Sequence, residues 1–260
     1  MWKNHLLPVV AALGIGMASE PAHAVDALPS APKVSTFAPA DDLVGQADQY
    51  LDTLKTIVAD KQGYSDDKEK IGRDANTLIV IALALGLHDR ENKYKARAGA
   101  VMKAARKVAA AKDYAAAQQA VAALEQAAAG NGGAGGELKW EKVAALPELM
   151  KQVPMIHTKL KLFVKGSNFK KRAGDTAGYS AAIAAIAQGS IADTSATKEA
   201  GQVKQWQTLM AAMRDDAGAV NGAIHKGDAP AAAKAMKKLN HSCADCHNVF
   251  KPDAVIDEDK

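Results

Sequence analysis

Cysteine is almost absent from this chain of 260 residues: there are two, and they stand three apart, at Cys243 and Cys246. A framework of several disulfides is therefore excluded. Aromatic residues make up 5% of the sequence, and β-branched residues are confined to short patches. What remains is the composition of an Ala-rich helical protein. No apolar run reaches the length of about eighteen residues that a bilayer crossing needs. Beyond the first residues the longest is Leu78 to Leu87. The formal charge of +4 is small for the length and the two signs are interspersed, so nothing here points to nucleic acid.

What the chain does hold is Cys243-Ala244-Asp245-Cys246-His247. Thiols at i and i+3 lie on one side of a helical turn, and the next residue offers a ring nitrogen from the same face. This is the Cys-x-x-Cys-His pattern of c-type haem attachment. Cys243 and Cys246 would hold the porphyrin by thioether bonds, and His247 would bind the iron. Other uses of the pair fit less well. A redox Cys-x-x-Cys wants β-α-β alternation nearby, and none is visible. A zinc site wants four ligands, and one helix cannot turn His241, Cys243, Cys246 and His247 to a single centre. A disulfide between i and i+3 of a regular helix is poorly arranged. Thirteen residues follow His247, none of them Met, His or Cys, so a second protein ligand to the iron must come from earlier in the chain.

Met1 to Ala24 reads as a secretory signal, with Lys3 at its charged start, an apolar stretch Leu6 to Met17 and a cleavage site Ala22-His23-Ala24. The mature chain is expected to be soluble and periplasmic, where haem is attached to exported apocytochromes. Residues 25–40, with Pro29, Pro32 and Pro39, read as a flexible leader. Residues 130–136 form a glycine-rich break that no helix tolerates. It separates a unit at 41–129 from a second at 137–252, each long enough for four helices.

The two units share their punctuation. Gly63, after a helical stretch, and Gly86, closing the next, recur as Gly166 and Gly189 at an offset of 103. Lys112-Asp113-Tyr114-Ala115-Ala116-Ala117 resembles Gly227-Asp228-Ala229-Pro230-Ala231-Ala232 at an offset of 115. The change of offset predicts a twelve-residue insertion near Ser190 to Ala200. Cys243, Cys246 and His247 then fall opposite Ala128, Asn131 and Gly132. The first unit has no haem site in this reading. Its core is filled by an apolar second helix, Leu78, Ile79, Val80, Ile81, Leu83 and Leu85, and His88 reads as an ordinary helix-end residue. The fold expected is all-α, two four-helix bundles in tandem, with covalent haem c on the second.

In the second unit Val203, Trp206, Met210, Met213, Ala217, Val220 and Ile224 step 3-4-3-4-3-4, a buried helical seam. The last helix continues its stripe through Met236, Leu239, Cys243, Cys246 and Phe250, with Asp228 and Pro230 starting it and Lys251-Pro252 stopping it. Residues 137–252 thus resemble the cytochrome c′ family, the class II c-type cytochromes, whose haem motif lies on the final helix of an exported four-helix bundle. The match is closest over Lys237 to Lys251, with Phe250 three residues after the histidine and Lys251 next to it. The resemblance implies a haem inside the bundle, with Lys251 near its propionates. Residues 41–129 match only as a degenerate copy. Family members often dimerise through their first two helices, so a homodimer is one implied arrangement.

The sixth iron position would face the helix starting near Pro147, whose apolar stripe is Leu146, Met150, Val153, His157, Leu160 and Val164; Met155 should point away. Three states remain open: no protein ligand, Met150, or His157. Two readings of function follow. One is a monohaem electron carrier serving redox partners of the cell envelope, which is not an enzyme. The other is binding of a small diatomic gas such as nitric oxide at an open site. A peroxidase-like enzyme would need a distal acid–base group, and His157 is the one candidate. Lys139 to Arg172 carries nine basic residues against Glu141 and Glu148. That bias reads as a solvated face in preference to a docking surface for an acidic partner.

Overall fold

The computed structural model describes residues 28–132, 136–254 and 256. The expected secretory signal lies outside the described residues, as do the start of the leader and part of the glycine-rich break. Within them the chain is all-helical: α1 (Ala40–Ile57), α2 (Lys61–Gly86), α3 (Ala98–Ala110), α4 (Tyr114–Ala129), α5 (Leu146–Phe163), α6 (Asn168–Lys171), α7 (Ala173–Ser190), α8 (Gly201–His225) and α9 (Ala229–Phe250). No helix among the described residues is long and apolar enough to cross a membrane. Carboxylate caps start three of the helices. Asp60, Asp113 and Asp228 accept the backbone N–H groups of Gly63, Ala116 and Ala231, satisfying donors that the first turn leaves free. Gly63 therefore sits inside the first turn of α2, after α1 has ended at Ile57. Gly86 does close α2, and there a Cβ would fall 2.3 Å from Leu138 and 2.7 Å from Ala98.

α1 lies on α2, α2 on α3, α3 on α4, and α4 returns to α1. In the second half α5 lies on α7, α7 on α8 and α8 on α9, but α5 and α9 have no comparable packing. The halves meet reciprocally: α1 on α7, α2 on α5, and α2 on α7. This explains why the second half of α2 and nearly all of α7 are covered on every side. Every residue from Asp74 to Leu85 and from Thr176 to Ser190 is buried, as a helix covered on all sides requires. Small residues set the approach. A Cβ on Gly189 would stand 2.7 Å from Cγ1 of Val80, and one on Gly178 would stand 2.8 Å from the Gln46 amide.

The halves differ in helix length. α8 has 25 residues where α3 has 13, and α9 has 22 where α4 has 16. α8 thus exceeds α3 by twelve residues, about three turns, while the connection before it, 191–200, is about as long as 87–97. The added turns carry Trp206 and Met210, and the added end of α9 carries Cys246, His247 and Phe250.

Residues 33–38 correct the flexible-leader reading. Val34, Phe37 and Ala38 are buried, because the missing side chain of Gly218 on α8 leaves room for Phe37. Ser35 donates from its backbone N–H and its hydroxyl to Asp89, and buried His88 donates from Nε2 to the Ala38 carbonyl. His88 also accepts at Nδ1 from the Arg90 N–H. Both ring nitrogens are occupied by backbone, as suits a structural histidine.

The close approach of α2 and α7 gives the first prediction. Gly189→Val should destabilise the protein by about 1–3 kcal/mol, the usual cost of overpacking a filled core. Adding Val80→Ala should restore part of the loss. Urea unfolding measures both, and an unchanged midpoint for Gly189→Val would contradict the packing described.

Candidate haem site

The space between α5, α8 and α9 is where the sequence motif falls. Met150, Val153, Pro154 and His157 from α5, Met210 and Met213 from α8, and Cys243, Cys246 and His247 from α9 line a cavity of about 100 Å³ with Ile256. A second cavity of about 380 Å³ adjoins it at Met150, Cys246 and His247, and opens past Leu146, Trp206, Phe250 and Lys251. Larger concavities lie elsewhere, about 780 Å³ over α1 and α7 and about 920 Å³ over α2, but these are open clefts lined by charged residues. The slot beside the motif is the apolar one. Its walls come from the lengthened parts of α8 and α9, pinned together at one end by Trp206 and Phe250, edge to face at 5.2 Å. The Trp206 indole N–H donates to the Ser190 carbonyl at 3.0 Å, which fixes its ring.

Both cysteines are free thiols. Burial pushes the Cys243 thiol up to about 11 and the Cys246 thiol to about 12, with the Asp216 carboxylate adding to the first and Cys243 itself to the second. Neither ionises near neutral pH, so neither suits thiolate chemistry. His247 is half-buried. Its Nδ1 lies 3.2 Å from the Ala254 carbonyl just beyond the helix end. A carbonyl only accepts, so Nδ1 carries a proton, and the ring borders the slot. That is the tautomer a metal-binding histidine needs, fixed in the way such ligands are usually fixed. Among the described residues no three His, Cys, Asp or Glu side chains form a metal-binding group; a porphyrin, which brings four ring nitrogens of its own, does not require one. Two thiols and a correctly protonated imidazole on one apolar slot fit a covalently held haem.

Opposite the motif, the structure separates the two residues considered for the sixth position. Met150 borders both cavities with Cys246 and His247. His157 is seven residues further along α5, about 10 Å from the level of Met150. There its Nε2 donates to Oδ1 of Asn240 at 2.5 Å, and burial holds it below the ordinary imidazole range. It is a neutral clasp between α5 and α9 at the floor of the slot. Met155 points away and is 52% exposed, as expected.

The sequence reading missed the second buried face of α5. Leu149, Gln152 and Ile156 are as buried as Leu146 and Val153. Gln152 donates to the Tyr50 hydroxyl at 2.7 Å, and Asn76 accepts from the Ala145 N–H at 2.8 Å, where α5 begins. The first half of the chain therefore sets the height of the distal wall. An internal repeat alone gave no sign of these pairs. A scan of family models, a search of curated proteins and a search of solved structures each found no match to this chain.

Thiol ionisation yields a direct test. In chain produced without haem, iodoacetamide at pH 8 should alkylate Cys243 and Cys246 at least about tenfold more slowly when folded than in urea, since only thiolate reacts. Equal rates would mean the thiols are not buried as described.

Proposed function

We propose that this chain is a periplasmic monohaem c-type cytochrome that transfers single electrons, built as two tandem four-helix bundles of which the second holds the haem. The observation carrying the reading is that Cys243, Cys246 and His247 border one apolar slot, with His247 Nδ1 hydrogen-bonded to the Ala254 carbonyl. When bound there, a haem supplies a one-electron couple at its iron. The chain's own residues supply the rest. Cys243 and Cys246 fix the macrocycle to α9, and His247 presents Nε2. Met210, Met213 and Val153 exclude water, which limits reorganisation and tunes potential. Lys251 stands at the open end of the slot beside Phe250, as expected of a propionate neighbour.

Duplication is supported by helix pairs that match in order at the expected offsets, α2 ending at Gly86 and α7 with Gly189 next to last, α4 starting at Tyr114 and α9 at Ala229. In this reading the first bundle has lost the haem site: α4 ends at Ala129, short of any equivalent of Cys246 or His247. The periplasmic assignment rests on residues 1–24.

A second reading, gas binding at an open sixth site, is favoured by the wall facing His247. Leu146, Val153 and Met150 offer one thioether there and no hydrogen-bond donor. The peroxidase-like alternative is disfavoured, since His157 is tied to Asn240 about two turns away.

Changing Cys243 and Cys246 together to Ala should abolish haem staining of the protein on a denaturing gel; a stained double variant would sink the proposal. Met150→Leu distinguishes the two readings. If Met150 ligates the iron, this variant's spectrum changes from low-spin to high-spin, and an unaltered spectrum assigns the site to gas binding.

A further inference from the structure

The outer face of α5 carries a feature that the slot does not use. Met155 and Leu162 are 52% and 59% exposed, two of the few large apolar side chains so placed. They stand seven residues apart and so share one face two turns apart. Single exposed apolar residues are ordinary; these two lie on a helix whose length and following residues carry several lysines. Lys151 is held by Glu148, and Lys159 lies over the Tyr179 ring at 5.1 Å. Lys161 near the end of α5, Lys165 just beyond it, and Lys170 and Lys171 from α6 make no ion pair among the described residues. Lys161 sits on the slot side, close enough for its charge to be felt at Cys243 and His157.

An apolar centre with a charged, unneutralised rim is the anatomy of a protein interface, and it lies on the helix forming the distal wall. A partner seated there is separated from the slot by one helix, about 10 Å across. We propose that this face is the docking surface for an acidic electron-transfer protein, with Met155 and Leu162 as its centre and Lys165, Lys170 and Lys171 beside it. The inference rests on the cytochrome reading and names the chemistry of the partner. Unpaired lysines steer such a partner through long-range attraction that salt screens, and the two apolar side chains bury on contact. The basic stretch is thus more than a solvated face.

The test uses the full exported protein on gold carrying a mixed monolayer of carboxylate- and methyl-terminated thiols, a surface with the two chemistries of the expected partner. Adsorbed mass and the voltammetric electron-transfer rate are both read at low ionic strength. Lys165→Glu/Lys170→Glu/Lys171→Glu, and separately Leu162→Asp, should each lower both by at least about tenfold, whereas Lys103→Glu/Lys107→Glu/Lys112→Glu on the first half, with the same change in charge, should lower them less than about twofold. Equal losses in the two triple variants would overturn the proposal, since net charge alone would then explain adsorption. Stronger binding to vesicles of phosphatidylglycerol, lost in Leu162→Asp, would overturn it in favour of a membrane surface. Adsorbed mass decides the docking question even if no voltammetric wave is seen, so failure of the haem reading is distinguishable from failure of the surface.

Discussion

The approach of α2 to α7 is the contact on which the rest depends. α2 from Asp74 and α7 from Thr176 are buried on every side, and Gly189 against Val80 sets how close they come. Around this pair each half arranges its other helices, and α1 and α5 lie across the partner half's central helix. α5 is held from behind by Tyr50 and Asn76, and its side-chain hydrogen bond to α9 is the one from His157 to Asn240. A gap between α5 and α9 is then tolerated, and that gap is the slot.

Helix extension explains why only one half has such a slot. A few added turns on α8 and α9 project beyond the common framework at the same end, and they bring Trp206, Met210, Cys246, His247 and Phe250 together. In the first half the helices in the same order are shorter, α3 ending at Ala110 and α4 at Ala129.

Much of this was legible because helical periodicity and caps are local. Asp228 and Pro230 mark the start of α9, and the 3-4 steps through Trp206, Met213 and Ile224 mark the buried seam of α8; these depend on neighbours within a turn or two. The motif at Cys243 is legible for the same reason. What was not legible depends on the other half of the chain. Leu149 and Ile156 are buried only because α1, α2 and α7 lie behind them, and Phe37 is buried only because Gly218 makes room. The hydrogen bond from His247 goes to a backbone carbonyl, which leaves no trace in residue type. Likewise the reading of His157 as a distal candidate rested on its place in a stripe, whereas its hydrogen bond to Asn240 of α9 depends on tertiary packing.

Covalent attachment is the central claim, and the reduced visible spectrum of the exported protein before and after acid–acetone extraction tests it most directly. The account predicts sharp haem bands that stay with the protein through the extraction, because two thioether bonds hold the porphyrin to α9. Haem that passes into the acetone, or a protein that carries no haem absorbance at all, would contradict it.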